Sequence, residues 1–163
     1  MIKNVIDKLV FGIALIFALQ LPLLADHYQQ YLSGLYQATK WQVDGYEMTA
    51  KMHEFPDARA MIARHLQLNE PSVNTDAKQK LVTLELFDEL SLGMDTFNRG
   101  NLFEQLVFMF NPKRYDALIE TSKNFTLGIP LDPVGLGFGV ILGLLLNGLI
   151  MLPATLLFSK RKS

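Results

Sequence analysis

Residues 134–158 read VGLGFGVILGLLLNGLIMLPATLLF, twenty-five positions without a charge, followed at once by Ser159-Lys160-Arg161-Lys162. At 1.5 Å per residue such a helix is about 37 Å long, enough to cross a ~30 Å hydrocarbon core with some tilt. The run therefore predicts a membrane-spanning helix that ends on a basic flank. Working back along the chain, residues 9–25 form a second uncharged run, LVFGIALIFALQLPLLA. Its seventeen residues give about 25 Å of helix, slightly short of a full span. Val5 and Ile6 extend it on the side that carries Lys3 and Lys8.

Together the two runs set the expected fold class: all-α, a membrane protein with two transmembrane helices and an extracytoplasmic helical domain between them. The expected boundaries are a cytoplasmic segment at 1–8, helices at 9–25 and 134–158, a middle domain at 26–133 and a basic cytoplasmic tail at 159–163. Charge follows the same division. Residues 26–132 hold ten Lys and Arg against fifteen Asp and Glu, whereas the ends carry Lys3, Lys8, Lys160, Arg161 and Lys162 against Asp7 alone. Basic flanks stay in the cytoplasm, and an acidic middle disfavours a nucleic-acid surface. Half of the 163 residues are hydrophobic and 19% are charged, an apolar balance for a chain of this size. No cysteine is present, which removes disulfides, thiolate metal sites, a catalytic thiol and cysteine lipidation.

The first run also fits a cleavable signal peptide: lysines precede a short apolar stretch, and Pro22 sits just before Ala25. Against cleavage, the position three before the cut is Leu23, and the chain after Ala25 has helical character at once. Either reading exports the middle domain.

The second run carries Gly135, Gly139 and Gly143 at four-residue spacing, with Asn147 continuing the ridge. Small residues at this spacing let another helix approach closely, and a buried amide beside them hydrogen-bonds across the contact. Gln20 in the first run lies eleven residues from Leu9, and Asn147 lies eleven from Phe158. In an antiparallel pair the two amides then share one depth, which predicts a Gln20–Asn147 hydrogen bond of about 0.6–2 kcal/mol. Gln20 at the outer interface, with glycines present merely as common membrane-helix residues, is the plainer alternative. Neither run contains an ionisable residue, so no ion or proton carrier is evident in one copy.

The middle region reads as helical throughout. Tyr28, Tyr31, Leu32, Leu35, Thr39, Val43 and Tyr46 keep one face, so the first helix is expected to run on beyond the apolar segment. Pro56 breaks it, and the next helix passes through Ala60, Met61, Ala63 and Leu66. Residues 69–74 have loop composition, and Thr75 or Asp76 is the expected cap of a helix carrying Leu81, Leu84, Phe87, Leu90, Met94 and Phe97. Beyond Gly100-Asn101, Phe103, Leu106, Val107 and Phe110 form a helical stripe. Asn111-Pro112 opens a last helix through Tyr115, Leu118 and Ile119. Residues 128–133, GIPLDP, form an extended linker.

No candidate chemistry survives inspection. His53-Glu54 is followed at position 57 by Asp57, where a zinc helix needs its second histidine. Glu85, Asp88 and Glu89 read as a solvated acidic face. Ser33-Gly34 and Ser91-Leu92-Gly93 lack the flanks of a nucleophile elbow. Gly135-x-Gly137-x-Gly139 lacks the later glycine of a dinucleotide loop, which is Leu142 here. Asp26 with His27 is the sole suggestive acid–base pair, and neighbours on a helix point about 100° apart. The expectation is therefore no catalytic residue, no metal, no cofactor, no identifiable small-molecule ligand and no enzyme activity.

Two junctions carry a family resemblance. Leu19-Gln20-Leu21-Pro22 leading into Asp26-His27-Tyr28 is one, and Pro130-Leu131-Asp132-Pro133-Val134-Gly135-Leu136 is the other. Both resemble a bacterial family of two-pass inner-membrane proteins whose conserved domain is of unknown function. That resemblance implies an inner-membrane location with the middle domain in the periplasm, and implies no activity. The expected function is an accessory or scaffold subunit, in contact with the lipid bilayer, that binds another envelope protein. A self-assembling transporter or channel subunit is the alternative, and an envelope enzyme ranks below both.

Overall fold

A computed structural model describes the backbone of residues 2–160 and the side chains of residues 4–151. The side chains of Lys3, of the end of the second apolar run (152–158) and of the basic tail lie outside the described residues. Every regular element among the described residues is helical: α1 Ile2–Met52, α2 Ala58–Leu66, α3 Pro71–Arg99, α4 Leu102–Met109, a 3₁₀ turn at Pro112–Arg114, α5 Tyr115–Lys123 and α6 Pro133–Lys160. Helix α1 covers 51 residues without interruption, so the first apolar run does continue into the following polar helix. Pro22 lies inside α1. It withholds one backbone donor without ending the helix, as prolines do in apolar helices whose neighbours compensate.

Helix termination at the end of α1 is local. Phe55 N–H donates to the Ala50 carbonyl at 2.9 Å and Glu54 N–H to the Lys51 carbonyl at 3.2 Å. These paired bonds close the last turn, and they require Glu54 to adopt φ 61°. Pro56 follows and prevents the helix from resuming.

The chain divides into two compact units, Gln29–Phe108 and the remainder, Met1–Tyr28 with Met109–Ser163. In the first, Val43, Ala58, Ile62, Ala77 and Leu84 are buried together, with Tyr46, Leu66, Leu81 and Phe87 packed against them. Tyr36 stacks on Phe87 with ring centroids 5.3 Å apart. Gly93 is buried, and a methyl there would lie 2.8 Å from Leu32 Cδ2 and 2.9 Å from Phe108 Cζ, so three helices converge at one small residue.

Side chains finish the short helices of this unit. Asp57 Oδ1 accepts from Ala60 N–H at 2.7 Å, and Glu47 Oε2 accepts from Ala58 N–H at 3.2 Å. Asn74 Nδ2 donates to the Leu66 carbonyl at 2.8 Å, covering the far end of α2. Asn101 and Glu104 cap α4 reciprocally: each side-chain oxygen accepts from the other's backbone N–H at 3.0 Å.

Three local expectations change. Helix α3 begins at Pro71, inside the stretch expected to be loop, with Glu70 as its N-cap. Pro71 is already set for a first helical position. Thr75 instead donates back to the Pro71 carbonyl at 2.9 Å, and Asp76 pairs with Lys80. The stripe expected on α4 is not the buried face: Phe103, Val107 and Phe110 are exposed, while Leu106 and Met109 are buried. Leu106 belongs to both possible stripes, and Met109 decides between them. Helix α6 starts one residue early, at Pro133.

Glu54 occupies a left-handed conformation that costs a residue with a Cβ about 1–2 kcal/mol. Glu54→Gly is therefore expected to raise the unfolding free energy by about 0.5–1 kcal/mol after the entropy cost of glycine. Chemical denaturation followed by circular dichroism reads this directly, and an unchanged or lower midpoint contradicts it.

Candidate functional site: the paired apolar helices

Within the unit formed by Met1–Tyr28 and Met109–Ser163, the polar and glycine residues of the two apolar runs meet. A methyl at Gly143 would lie 3.0 Å from Leu15 Cα and 3.3 Å from its backbone nitrogen, and one at Gly139 would overlap the Leu19 side chain. Four residues forward on α1 thus match four residues back on α6, which makes the pair antiparallel. Both glycines are buried. Without a Cβ, the α6 backbone sits directly on α1, and dispersion between closely packed backbones holds the contact. Ala14 and Ala18 are also buried, 5% and 1% exposed, so α1 contributes small residues of its own.

Gly135, the first member of the glycine ridge, has a different place. Its N–H donates to Asp132 Oδ1 at 2.7 Å, and a methyl there would lie 2.5 Å from Asp132 Oδ2 and 3.1 Å from Pro130 Cβ. It serves the cap of α6, which Asp132 closes and Pro133 begins.

The predicted pairing of Gln20 with Asn147 does not form. The Gln20 amide grips the linker before α6: Nε2 donates to the Gly128 carbonyl at 3.1 Å, and Oε1 accepts from Gly128 N–H at 3.2 Å. The same Nε2 donates to the Ile16 carbonyl at 3.0 Å. Asn147 Nδ2 instead donates to Asp7 Oδ1 at 3.2 Å, and Asn147 Oδ1 is buried without a partner. Equal counting from the run ends fails because the runs differ in length. The register set by Gly139 and Gly143 brings Ala25 opposite Pro133 and leaves the first turns of α1 beside the later part of α6.

Asp7 was outside the expected segment and was missed. It lies half-buried against the apolar run of α6, so an ionisable group does accompany the second segment. The Ala14–Ala18 spacing was a legible signal for the α1 contact face, whereas neither Asp7 nor the backbone of Gly128 announces itself in an apolar pattern.

At the rim of this unit Asp26 and His27 diverge, as their helical spacing requires. The His27 ring meets Phe125 edge-on with centroids 5.4 Å apart. Asp26, the first residue beyond the 9–25 run, has its carboxyl held above the ordinary range by partial burial and by the Asp132 carboxylate, with His27 pulling the other way. Elsewhere, His53 is exposed, and His65 Nδ1 is buried without a partner beside Phe55, ring centroids 6.4 Å apart. Asp88 pairs with Arg59. Among the described residues no group of three His, Asp or Glu side chains is arranged to hold a metal ion.

Among the described residues the chain is all-helical, with two helices, α1 and α6, long and apolar enough to cross a membrane. The chain belongs to the family described as Protein of unknown function (DUF2937), whose model matches residues 2–163. No curated protein and no solved structure matches it.

Two substitutions separate the contact face from glycine content. Gly143→Ala forces α6 away from the Leu15 backbone and is expected to cost about 1–3 kcal/mol. Gly137→Ala, where nothing lies within 4 Å, is expected to be neutral or stabilising, since alanine favours helix by about 1 kcal/mol. Thermal unfolding of both variants in one detergent tests the register, and equal effects would refute it. A raised carboxyl pKa favours protonated Asp26 in the folded state, so its contribution to stability is present at low pH and lost as pH rises through the raised value. Asp26→Asn is expected to raise the unfolding midpoint at neutral pH while leaving it little changed in acid.

Proposed function

We propose that this protein is anchored in a bacterial inner membrane by the apolar part of α1 and by α6, with the Lys-flanked ends in the cytoplasm and the region 26–133 in the periplasm. Its role is that of a non-catalytic accessory or scaffold subunit that binds another envelope protein. The observation that carries the membrane reading is the exposure of aliphatic side chains along both helices. Leu9, Ile13, Ile16 and Phe17 on α1, and Ile141 and Leu145 on α6, are all about half or more exposed. A core helix of a soluble protein buries such residues. Here they face outward around a packed pair, the arrangement expected when lipid is the solvent.

Support for docking comes from the unit Gln29–Phe108. Trp41, Met48 and Met52 are 80%, 65% and 74% exposed, and their spacing sets them along one face of α1 with Gly45 between. Tryptophan is prominent at the energetic centres of interfaces, and methionine adapts to varied partners.

The test is purification of tagged protein from native membranes in mild detergent, with mass spectrometry of co-purifying chains and light scattering for mass. A stoichiometric heterologous partner, lost in a Trp41→Ala/Met48→Ala variant whose unfolding midpoint is unchanged, is the expected result. A pure homo-oligomer moves the assignment to the self-assembling subunit. A mature chain beginning at Asp26 refutes the two-pass anchor.

A further inference from the structure

We infer that residues 125–131 form a re-entrant segment that dips into the outer leaflet, clasped from within by Gln20 and presenting Leu127, Ile129 and Leu131 to lipid acyl chains. The inference rests on the membrane reading above and adds a lipid-contacting element that is neither of the two spanning helices.

Three contacts give the path of this segment along α1. Phe125 meets His27, beyond the apolar run. Gly128 is hydrogen-bonded to Gln20, and a methyl on it would lie 3.0 Å from Leu23 Cδ2. Asp132 then comes within electrostatic range of Asp26, back at the level of His27. From His27 to Gln20 is seven residues of helix, so the chain descends by up to about 10 Å and returns before α6 begins. The lowest point lies beside side chains of the 9–25 run.

Lipid-exposed irregular backbone does not occur in the hydrocarbon core, so the segment lies at the headgroup boundary of the leaflet, where water serves its outward-facing polar groups. Gln20 supplies both partners for Gly128, its carbonyl oxygen taking the N–H and its amide nitrogen serving the C=O. Pro130 has no N–H to satisfy and is buried. The intervening side chains alternate outward: Leu127 is 79% exposed, Ile129 67% and Leu131 91%. Three large aliphatic side chains in a row on an open face suit hydrocarbon and not water. No charged residue lies between Lys123 and Asp132.

The chain lacks cysteine, so single cysteines report without background. Leu127→Cys, Ile129→Cys and Leu131→Cys, each labelled with bimane, are reconstituted in vesicles of phosphatidylethanolamine and phosphatidylglycerol that contain lipid with a nitroxide near the headgroup. Leu145→Cys, read with a nitroxide deep in the acyl chain, is the membrane control, and Lys78→Cys is the aqueous control. The expected result is quenching at the three loop positions comparable with that at Leu145, and several-fold above that at Lys78. Quenching at Leu145 with loop labels behaving like Lys78 overturns the re-entrant segment and leaves the two-pass anchor standing. Loop labels shielded from aqueous iodide yet unquenched by lipid also overturn it, because protein then covers the face. No quenching at Leu145 overturns both readings. A Gln20→Leu background, which strands the Gly128 N–H and C=O, is expected to reduce quenching at Ile129 several-fold, and unchanged quenching removes Gln20 from the role of clasp.

Discussion

One side-chain amide, Gln20, satisfies both backbone groups of Gly128. Buried or lipid-facing backbone polar groups cost several kcal/mol when left alone, so this pair of bonds limits where the linker can run. From that point the remaining geometry follows in order. With Gly128 held, Pro130 is buried and Asp132 sits where it accepts from Gly135 N–H. That cap orients the first turn of α6, and the helix then meets α1 at Gly139 and Gly143. The register reached in this way brings Asn147 within reach of Asp7. A polar residue that looked like one half of a symmetric pair is the anchor of a loop.

The unit Gln29–Phe108 is organised by different means. Its short helices, α2 and α4, are below the length at which isolated helices hold in water, and their ends are closed by Asp57, Glu47, Asn74 and the Asn101–Glu104 pair. Each such cap is worth about 1 kcal/mol, comparable with what a short helix lacks. The buried cluster around Val43, Ile62 and Leu84 then fixes α2 and α3 against α1. Exposed ion pairs such as Lys40–Asp44 contribute little beside this, since water screens them and ordering two long side chains costs entropy.

Membership of the DUF2937 family fixes kinship without an activity, and a helical fold does not supply one. The interactions described among these residues are those of contact. Amides satisfy backbone, glycines admit a neighbouring helix, and exposed aromatic and aliphatic groups await a solvent or a partner suited to them.

The sequence by itself determined the helical class, the two long apolar helices, the continuation of the first into polar sequence, the break before Pro56, the interruption at Gly100 and the Asn111–Pro112 start. All are local: a charge-free run, a proline's missing N–H or a capping side chain acts within a few residues. It also marked Gln20, Gly135, Gly139, Gly143 and Asn147 as unusual in an apolar setting. Only the tertiary structure decided what each one touches. Gly135 serves the cap and not the helix pair, Gln20 reaches a backbone over a hundred positions away, and Asn147 finds Asp7. The stripe on α4 was ambiguous for the same reason, since Phe103 and Met109 offer two faces sharing Leu106. Periodicity shows that a face exists. Which neighbour covers it depends on antiparallel register, and register is set by close backbone approach and by hydrogen bonds between distant residues, neither of which is encoded in local spacing.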